Sequence, residues 1–244
     1  EAIRDFRYPD RIVVGSNNRR ANDIIKNLYD PLIKRGGKYF NTSRRAAELI
    51  KYASNAFLAT KISYINEISN LCEKVGVTVE DIAIGMGLDQ RIGSRFLRAG
   101  PGYGGSCFPK DTKALLDTAK KFKTNLSIVE STVRSNEKRH HILLDKIKKI
   151  MKGKIFRKKI TFLGVTFKAN TDDMRESPSL KLIPQLHKKG ALISYYDPSG
   201  FKNDFKKYKN VNYVNKISLA CKNSDLVILH TEWNEFKNLN FRNL

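Results

Sequence analysis

The stretch Gly100–Asp111, GPGYGGSCFPKD, places a single cysteine between a glycine-rich loop and the expected start of a helix. Glycines lack a Cβ, so the backbone of this loop can adopt positive φ and bring its amides close to a ligand. Behind Cys107, apolar residues recur at helical spacing as far as Phe122, and Pro109 suits a first turn. The sequence therefore predicts a binding loop with a thiol just ahead of a helix N-terminus.

Two interpretations of Cys107 follow from this position. The helix dipole, and Lys110 if its side chain turns inward, would favour the thiolate and make the residue a nucleophile. A buried structural cysteine beside a glycine-rich turn is the competing interpretation. The chemistry of the loop alone does not separate the two.

Composition limits the class of protein. The 244 residues include 46 lysines and arginines against 24 acidic residues, a formal net charge of +22. This charge suits an anionic ligand, but the lysines are scattered over expected helix faces and form no nucleic-acid motif. No segment is long and apolar enough for a bilayer span, and the charged N-terminus does not resemble a signal peptide. We expect a soluble cytoplasmic protein with neither nucleic acid nor membrane as partner.

The three cysteines, Cys72, Cys107 and Cys221, stand far apart without metal-ligand spacing. This pattern argues against a disulfide framework and against a structural zinc site, so no metal is expected.

A long helix is predicted from Ser43 to Val75, because apolar and small residues recur there at helical spacing without an internal proline or glycine. Lys51 and Asn55 are four residues apart and share one face of it. On the pattern alone this pair is an ordinary solvated pair. The wide apolar arc predicts that two chains cross at this helix, as a homodimer.

Shorter helices are predicted in TVEDIAIGMG and SRFLRA, and a longer one over 125–152. Together with the long helix they indicate a central all-helical domain, 42–153. Residues 1–41 read as a connector made of one strand, RIVVG, and one helix.

After residue 153 strands and helices alternate, which predicts a doubly wound, Rossmann-like parallel sheet over 154–244. The loop TFKANTDDMRES, 166–177, falls at the carboxyl end of the first strand, where open α/β sheets bind ligands. Nowhere in the chain does a Gly-x-Gly-x-x-Gly turn follow a strand and open a helix, so no dinucleotide-binding domain is expected.

The cysteine loop resembles the active-site loop of the UDP-glucose 6-dehydrogenases, a group within the NAD-dependent nucleotide-sugar dehydrogenase family. Further stretches resemble the same family in the same order, among them KYASNAFLATKISYINEISNLCE, FLGVTFKANTDDMRESPS, YDPSG and SDLVILHTEW. The resemblance extends over almost the whole chain.

This resemblance implies oxidation of UDP-glucose to UDP-glucuronate in two NAD-dependent steps, through a thiohemiacetal and a thioester on the cysteine. It places Cys107, Lys51 and Asn55 in the catalytic pocket, and Asp111 is a further catalytic candidate because it lies on the first helical turn, four residues after Cys107. Asp111 would orient a water molecule, and its other interpretation is a first-turn acid that complements the helix dipole. The implied substrate-binding residues are Lys51, Asn55, Arg91, Arg98, Tyr103, Gly104, Phe167 and Lys168, and the implied cofactor contacts are Cys107, Lys110 and Arg175.

Family members begin with an NAD-binding domain and end with a further strand, and the sequence lacks both. We therefore expect a fragment that is inactive alone, that dimerises through its long helix, and that needs the NAD-binding domain in cis or as a separate chain. The alternatives are a dehydrogenase for another nucleotide sugar, such as GDP-mannose, and a non-catalytic module that binds sugar nucleotides or supports dimerisation.

Overall fold

The computed structural model describes residues 2–240, and the chain divides into two compact units, Glu1–Asn55 and Ala56–Leu244. The last four residues of the predicted sheet domain, 241–244, lie outside the described residues. One helix continues across the division between the two units.

The first unit contains a small βαβ arrangement that the sequence predicted only in part. Its strands β1 and β2 pair in parallel, and Asn18 caps the intervening helix by accepting a hydrogen bond from the amide of Ala21 at 3.0 Å. The predicted strand and helix are confirmed, whereas β2 and the short first helix were not predicted. The elements are α1 (Ala2–Arg7), β1 (Arg11–Gly15), α2 (Arg19–Ile33) and β2 (Lys38–Thr42).

The predicted long helix is confirmed as α3, Arg44–Val75. Helix α4, Val79–Leu88, is also confirmed and begins after Thr78, whose side chain accepts a hydrogen bond from the amide of Asp81. The helix predicted for SRFLRA is wrong, because residues 94–99 form a turn and an irregular segment. Phe96 has φ of +66°, which a right-handed helix cannot include.

The two helices that the sequence predicts on either side of residue 125 are confirmed. Helix α5 covers Phe108–Lys121 and packs against α6, Ser127–Ile150. Within the described residues, no helix is long and apolar enough to cross a membrane, and no group of histidine, cysteine and carboxylate side chains could hold a metal ion.

The remaining elements form a parallel sheet of four strands in the order β5-β4-β3-β6 within residues 2–240. The chain runs outward from β3 through β4 to β5 and then returns to place β6 on the opposite side of β3. This reversal confirms the predicted doubly wound sheet, and it creates a crevice at the carboxyl ends of the strands. The elements are β3 (Lys159–Leu163), α7 (Ser179–Lys188), β4 (Leu192–Tyr196), β5 (Val211–Tyr213), α8 (Ile217–Cys221) and β6 (Leu226–Leu229).

The main apolar core joins the sheet to α6 and α7. Phe162, Ile193 and Tyr195 of the sheet are almost fully buried, and Leu144 and Ile147 of α6 belong to the same cluster. The helical segment and the sheet therefore share one core within the second unit. The functional division at residues 41 and 153 stays a prediction.

Candidate active site

Cys107 lies directly before α5, as the sequence predicted. It occupies the N-cap position, is exposed, and is followed by Pro109 in the first turn. Its carbonyl oxygen accepts a hydrogen bond from the amide of Asp111 at 2.8 Å. The start of a helix carries unpaired amides and the positive end of the dipole, so negative charge is stabilised there. The two other cysteines, Cys72 and Cys221, are buried core residues, and burial raises the pKa of the Cys221 thiol.

The glycine loop docks on the segment that follows β3. The amide of Gly105 donates to the carbonyl oxygen of Arg175 at 2.8 Å. A Cβ on Gly104 would lie 2.3 Å from the carbonyl oxygen of Glu176, and one on Gly105 would lie 2.7 Å from the Phe167 ring. Such distances leave no room for a side chain, so glycine is required at both positions. The cysteine loop and the loop after β3 therefore meet in one site.

Cationic side chains surround this contact. The Lys168 ammonium lies 5.7 Å from the centre of the Phe167 ring, and the Arg175 guanidinium bonds both carboxylate oxygens of Asp173. The hydrogen bonds with Asp173 raise the pKa of Arg175, and the nearby Cys107 adds a smaller electrostatic contribution in the same direction. The same pairing lowers the pKa of Asp173. Arg175 is therefore a fixed positive charge within electrostatic range of the thiol.

A buried carboxylate holds the loop after β3 in place. Asp197 follows β4 and accepts hydrogen bonds from the amides of Val165 at 2.7 Å and Thr166 at 3.3 Å. The Thr231 hydroxyl donates to the carbonyl oxygen of Thr166 at 2.7 Å. Sequence analysis did not assign Asp197 a role, although an aspartate directly after a buried strand was a usable signal. The segment that presents Phe167 is thus fixed by groups that follow β4 and β6, the two strands on either side of β3.

An open cleft of about 610 Å³ adjoins this edge of the sheet and is lined by residues 171–175 and 199–204, with the exception of Gly200. Lys202, which sequence analysis missed, is buried here, and its ammonium donates to the Ser199 hydroxyl at 2.7 Å and to the carbonyl oxygen of Asp172 at 3.4 Å. Nothing in its sequence context distinguished this lysine from its many exposed neighbours.

Asp111 is fully buried in the first turn of α5 and forms an ion pair with Lys110, whose side chain is 63% exposed. Enclosure at a helix start suits an acid that complements the dipole. Its predicted role in orienting a water molecule stays a prediction, as does the contact of Lys110 with a cofactor.

The other predicted ligand residues of the second unit occupy different environments. Arg91 is exposed in the turn after α4 and pairs with Asp89 at 2.6 Å. Arg98 forms an ion pair with Glu232 at 2.7 Å. Tyr103 is only 6% exposed, and burial raises its pKa to about 12. Its predicted contact with the substrate stays a prediction. Its ring supports the loop from within.

Lys51 and Asn55 lie on α3 in the first compact unit, one helical turn apart as predicted. Lys51 is exposed and Asn55 is half-buried. Their role beside Cys107 stays a prediction.

Two models of known protein domains match this chain. Residues 45–138 match the central-domain model of the UDP-glucose/GDP-mannose dehydrogenase family, and residues 161–244 match the UDP-binding-domain model of the same family. The two matches together cover most of the chain. The chain belongs to the UDP-glucose/GDP-mannose dehydrogenase family.

Individual members of the family are closely similar. The chain is 46% identical to UDP-glucose 6-dehydrogenase of Rickettsia felis over 100% of its own length and 55% of that protein. It is 48% identical to UDP-glucose 6-dehydrogenase of Rhizobium meliloti, of which it covers 56%. A UDP-glucose dehydrogenase structure from Pyrobaculum islandicum matches 99% of the chain with a TM-score of 0.92 and 33% identity, over 55% of that structure's chain. The chain thus spans about half the length of the curated relatives it matches.

Proposed function

We propose that this chain supplies the sugar-nucleotide site and the reactive thiol of a UDP-glucose 6-dehydrogenase. The observation that carries the proposal is the docking of the glycine loop before Cys107 onto the loop after β3, with the Gly105 amide bonded to the Arg175 carbonyl. This contact joins a thiol at a helix N-terminus to the ligand-binding end of a parallel sheet. The relatives from Rickettsia felis and Rhizobium meliloti are both UDP-glucose 6-dehydrogenases, which supports the choice of UDP-glucose.

The diphosphate of a sugar nucleotide suits the charges around this contact. Lys168 lies on the loop after β3, and Arg98 lies two residues before the cysteine loop. Side chains of this kind recognise phosphate oxygens through charge-assisted hydrogen bonds. We propose that Phe167 and Lys168 contact the nucleotide, that Gly104 approaches the sugar, and that Arg91 reaches the sugar nucleotide of a neighbouring subunit.

The proposed chemistry at Cys107 is covalent. Once the C6 alcohol has been oxidised to an aldehyde, the thiolate adds to the carbonyl carbon, a C–S bond forms, and the carbonyl oxygen becomes an alkoxide. Loss of a hydride from the same carbon turns this thiohemiacetal into a thioester. Water then attacks the thioester carbonyl, the C–S bond breaks, and the thiolate leaves as the carboxylate forms. The net change consumes one water and removes two hydrides from the substrate.

Side chains of this chain have distinct proposed parts in those steps. Lys51 and Asn55 stabilise the alkoxide by a positive charge and a hydrogen bond from one helix face. Asp111 orients the attacking water. Asp111 is buried against Lys110, so this role requires the attacking water to reach the first turn of α5.

NAD is the proposed cofactor and would supply the acceptor for both hydrides. The residues of this chain suit only the reactive end of NAD. Lys110 lies three residues after Cys107 in the sequence, and Arg175 lies within electrostatic range of the Cys107 thiol. The pyrophosphate of a dinucleotide needs a glycine-rich turn between a strand and a helix, and the sequence contains no such turn. We therefore propose that an NAD-binding domain, linked in cis or present as a separate chain, completes the site.

We also propose a homodimer through α3. Phe57, Tyr64 and Leu71 follow one another at intervals of seven residues and are 66%, 49% and 55% exposed, respectively. Residues at this spacing form a stripe along one face of a helix. An exposed apolar stripe of three turns or more suits a self-complementary interface.

Replacing Leu71 with glutamate is expected to weaken such a dimer at least about tenfold, because a charge would be buried in the proposed interface. Sedimentation equilibrium at micromolar concentration measures the change. Phe122→Glu is the matched control, because Phe122 is 79% exposed but lies at the end of α5. A wild-type chain that sediments as a monomer would contradict the dimer.

The proposed function is tested by a chimera in which this chain replaces the matched part of the Rickettsia felis relative. We expect the chimera to form UDP-glucuronate from UDP-glucose with two NADH per product, and the chain alone to form none. Product chromatography and NADH absorbance measure this, with GDP-mannose as the competing substrate. A chimera that folds and binds UDP but oxidises neither substrate would favour the non-catalytic alternative.

A further inference from the structure

Three side chains of α3 and α6 hold the backbone of the cysteine loop. Asn66 accepts a hydrogen bond from the amide of Gly100 at 2.8 Å, and Arg139 donates from Nε to the carbonyl oxygen of Gly100 at 3.0 Å. Asn136 bonds both main-chain groups of Tyr103, accepting from its amide at 2.8 Å and donating to its carbonyl oxygen at 3.0 Å. The loop is therefore attached at two residues by four side-chain to main-chain hydrogen bonds.

Arg139 is itself fixed within the helix pair. The residue is 8% exposed, and burial lowers the pKa of its guanidinium. Its remaining nitrogens donate to the Asn66 carbonyl oxygen at 3.2 Å, to Asn70 Oδ1 at 2.6 Å and to the Ser69 hydroxyl at 3.3 Å. A buried cation with this many donors engaged cannot turn away without leaving polar groups unpaired. The atom that bonds Gly100 is thus held in a set direction.

The loop wraps closely around the Asn136 amide. Gly102 has φ of +119°, and a Cβ on it would lie 2.8 Å from Asn136 Oδ1. Beyond this point the loop reaches the docked residues Gly104 and Gly105, and Cys107 follows two residues later. The segment between Gly100 and Gly105 is therefore anchored by the helix pair at one end and by the loop after β3 at the other.

We propose that Asn136, supported by Asn66 and Arg139, is a positioning residue for the Cys107 thiol. It acts through the backbone of the loop. The proposal rests on the proposed function of Cys107, because placement matters only if the thiol reacts. A displacement of about 1 Å at a reacting group can cost roughly 100-fold in rate, so a loosened loop has a measurable effect.

The test compares two variants of Asn136 in the full chain. Asn136→Ala loses both hydrogen bonds to Tyr103, whereas Asn136→Asp keeps an oxygen that can accept the hydrogen bond from the Tyr103 amide. Hydrogen exchange of the peptide that covers the loop should accelerate about tenfold in Asn136→Ala and less in Asn136→Asp. In the chimera, kcat should fall roughly 10-fold to 100-fold for Asn136→Ala, with KM for UDP-glucose changing less than about threefold.

Ser135→Ala provides the matched control. The Ser135 hydroxyl donates to Glu67 Oε1 at 2.6 Å across the same helix pair and, among the described residues, forms no hydrogen bond with the loop. This variant should leave both loop exchange and kcat near their wild-type values. If Asn136→Ala does not fold, Asn136→Asp still carries the comparison.

Two results would overturn the proposal. One is loop exchange in both Asn136 variants that matches Ser135→Ala, and the other is an acceleration spread evenly over all peptides. An active Cys107→Ser chimera is a different outcome, since it would refute the proposed function and the catalytic part of this proposal. Exchange that still responds to Asn136→Ala would then support the anchoring of the loop alone.

Discussion

Replacing Cys107 with serine is expected to lower the rate of UDP-glucuronate formation in the chimera by about three orders of magnitude or more. A serine hydroxyl is protonated near neutral pH and is a much weaker nucleophile than a thiolate, so the covalent addition fails. Serine is close to cysteine in size, and position 107 is exposed, so the fold should not change. Chromatographic separation of UDP-glucose from its acid product measures the loss.

The other two cysteines provide the control for this experiment. Cys72 and Cys221 are buried, and their replacement with alanine removes one small apolar group each. Both variants should lose some stability and keep most of their activity. If Cys107→Ser retained more than about a tenth of the wild-type rate, the covalent mechanism would have to be abandoned.

The second large effect concerns His230 and acid. His230 is buried beside Thr231, its Nε2 is buried without a hydrogen-bond partner in the described part of the chain, and burial lowers its pKa from 6.5 to about 4. Below its unfolded pKa, the unfolded chain therefore binds a proton that the folded chain does not. Protonation of His230 therefore costs no stability above pH 6.5, and the free energy of unfolding decreases as the pH falls from 6.5 toward 4.

We expect the free energy of unfolding to fall by about 2 kcal/mol between roughly pH 7 and pH 5 from His230 alone. Denaturant titrations at the two pH values measure it. His230→Gln should remove most of this dependence. His140 contributes in the same direction, since burial lowers its pKa too. An identical pH dependence in wild type and His230→Gln would contradict the assignment.

Local patterns were sufficient to predict most of the secondary structure. The helices α3, α5 and α6 and the strands β3, β4 and β6 follow from apolar periodicity, because burial of one face is what stabilises them. The prediction at residues 94–99 failed for a tertiary reason. Leu97 is 3% exposed in an irregular segment, so its packing rather than the helical propensity of SRFLRA decides the backbone there.

Individual residues of the site could be predicted from the sequence, but the contacts that bring them together could not. Cys107 and the loop after β3 could be singled out because glycines and strand ends have local signatures. The roles of Asn136 and Arg139 as anchors could not be predicted, because an asparagine and an arginine on a helix are ordinarily solvated. Their partners lie more than thirty residues away in sequence, and only the fold brings them to the loop.

The contact between Gly105 and Arg175 also bears on how the protein is made. About seventy residues separate these two positions, so a ribosome releases the cysteine loop well before the segment on which it docks. Contacts of such long sequence separation form late in folding, because the intervening chain must first be ordered. Before the sheet forms, the loop is therefore expected to have only its attachments to α3 and α6 at Gly100 and Tyr103. The second attachment, at Gly105, is expected only when the sheet has formed, which ties the final placement of Cys107 to the folding of the segment that contains Arg175.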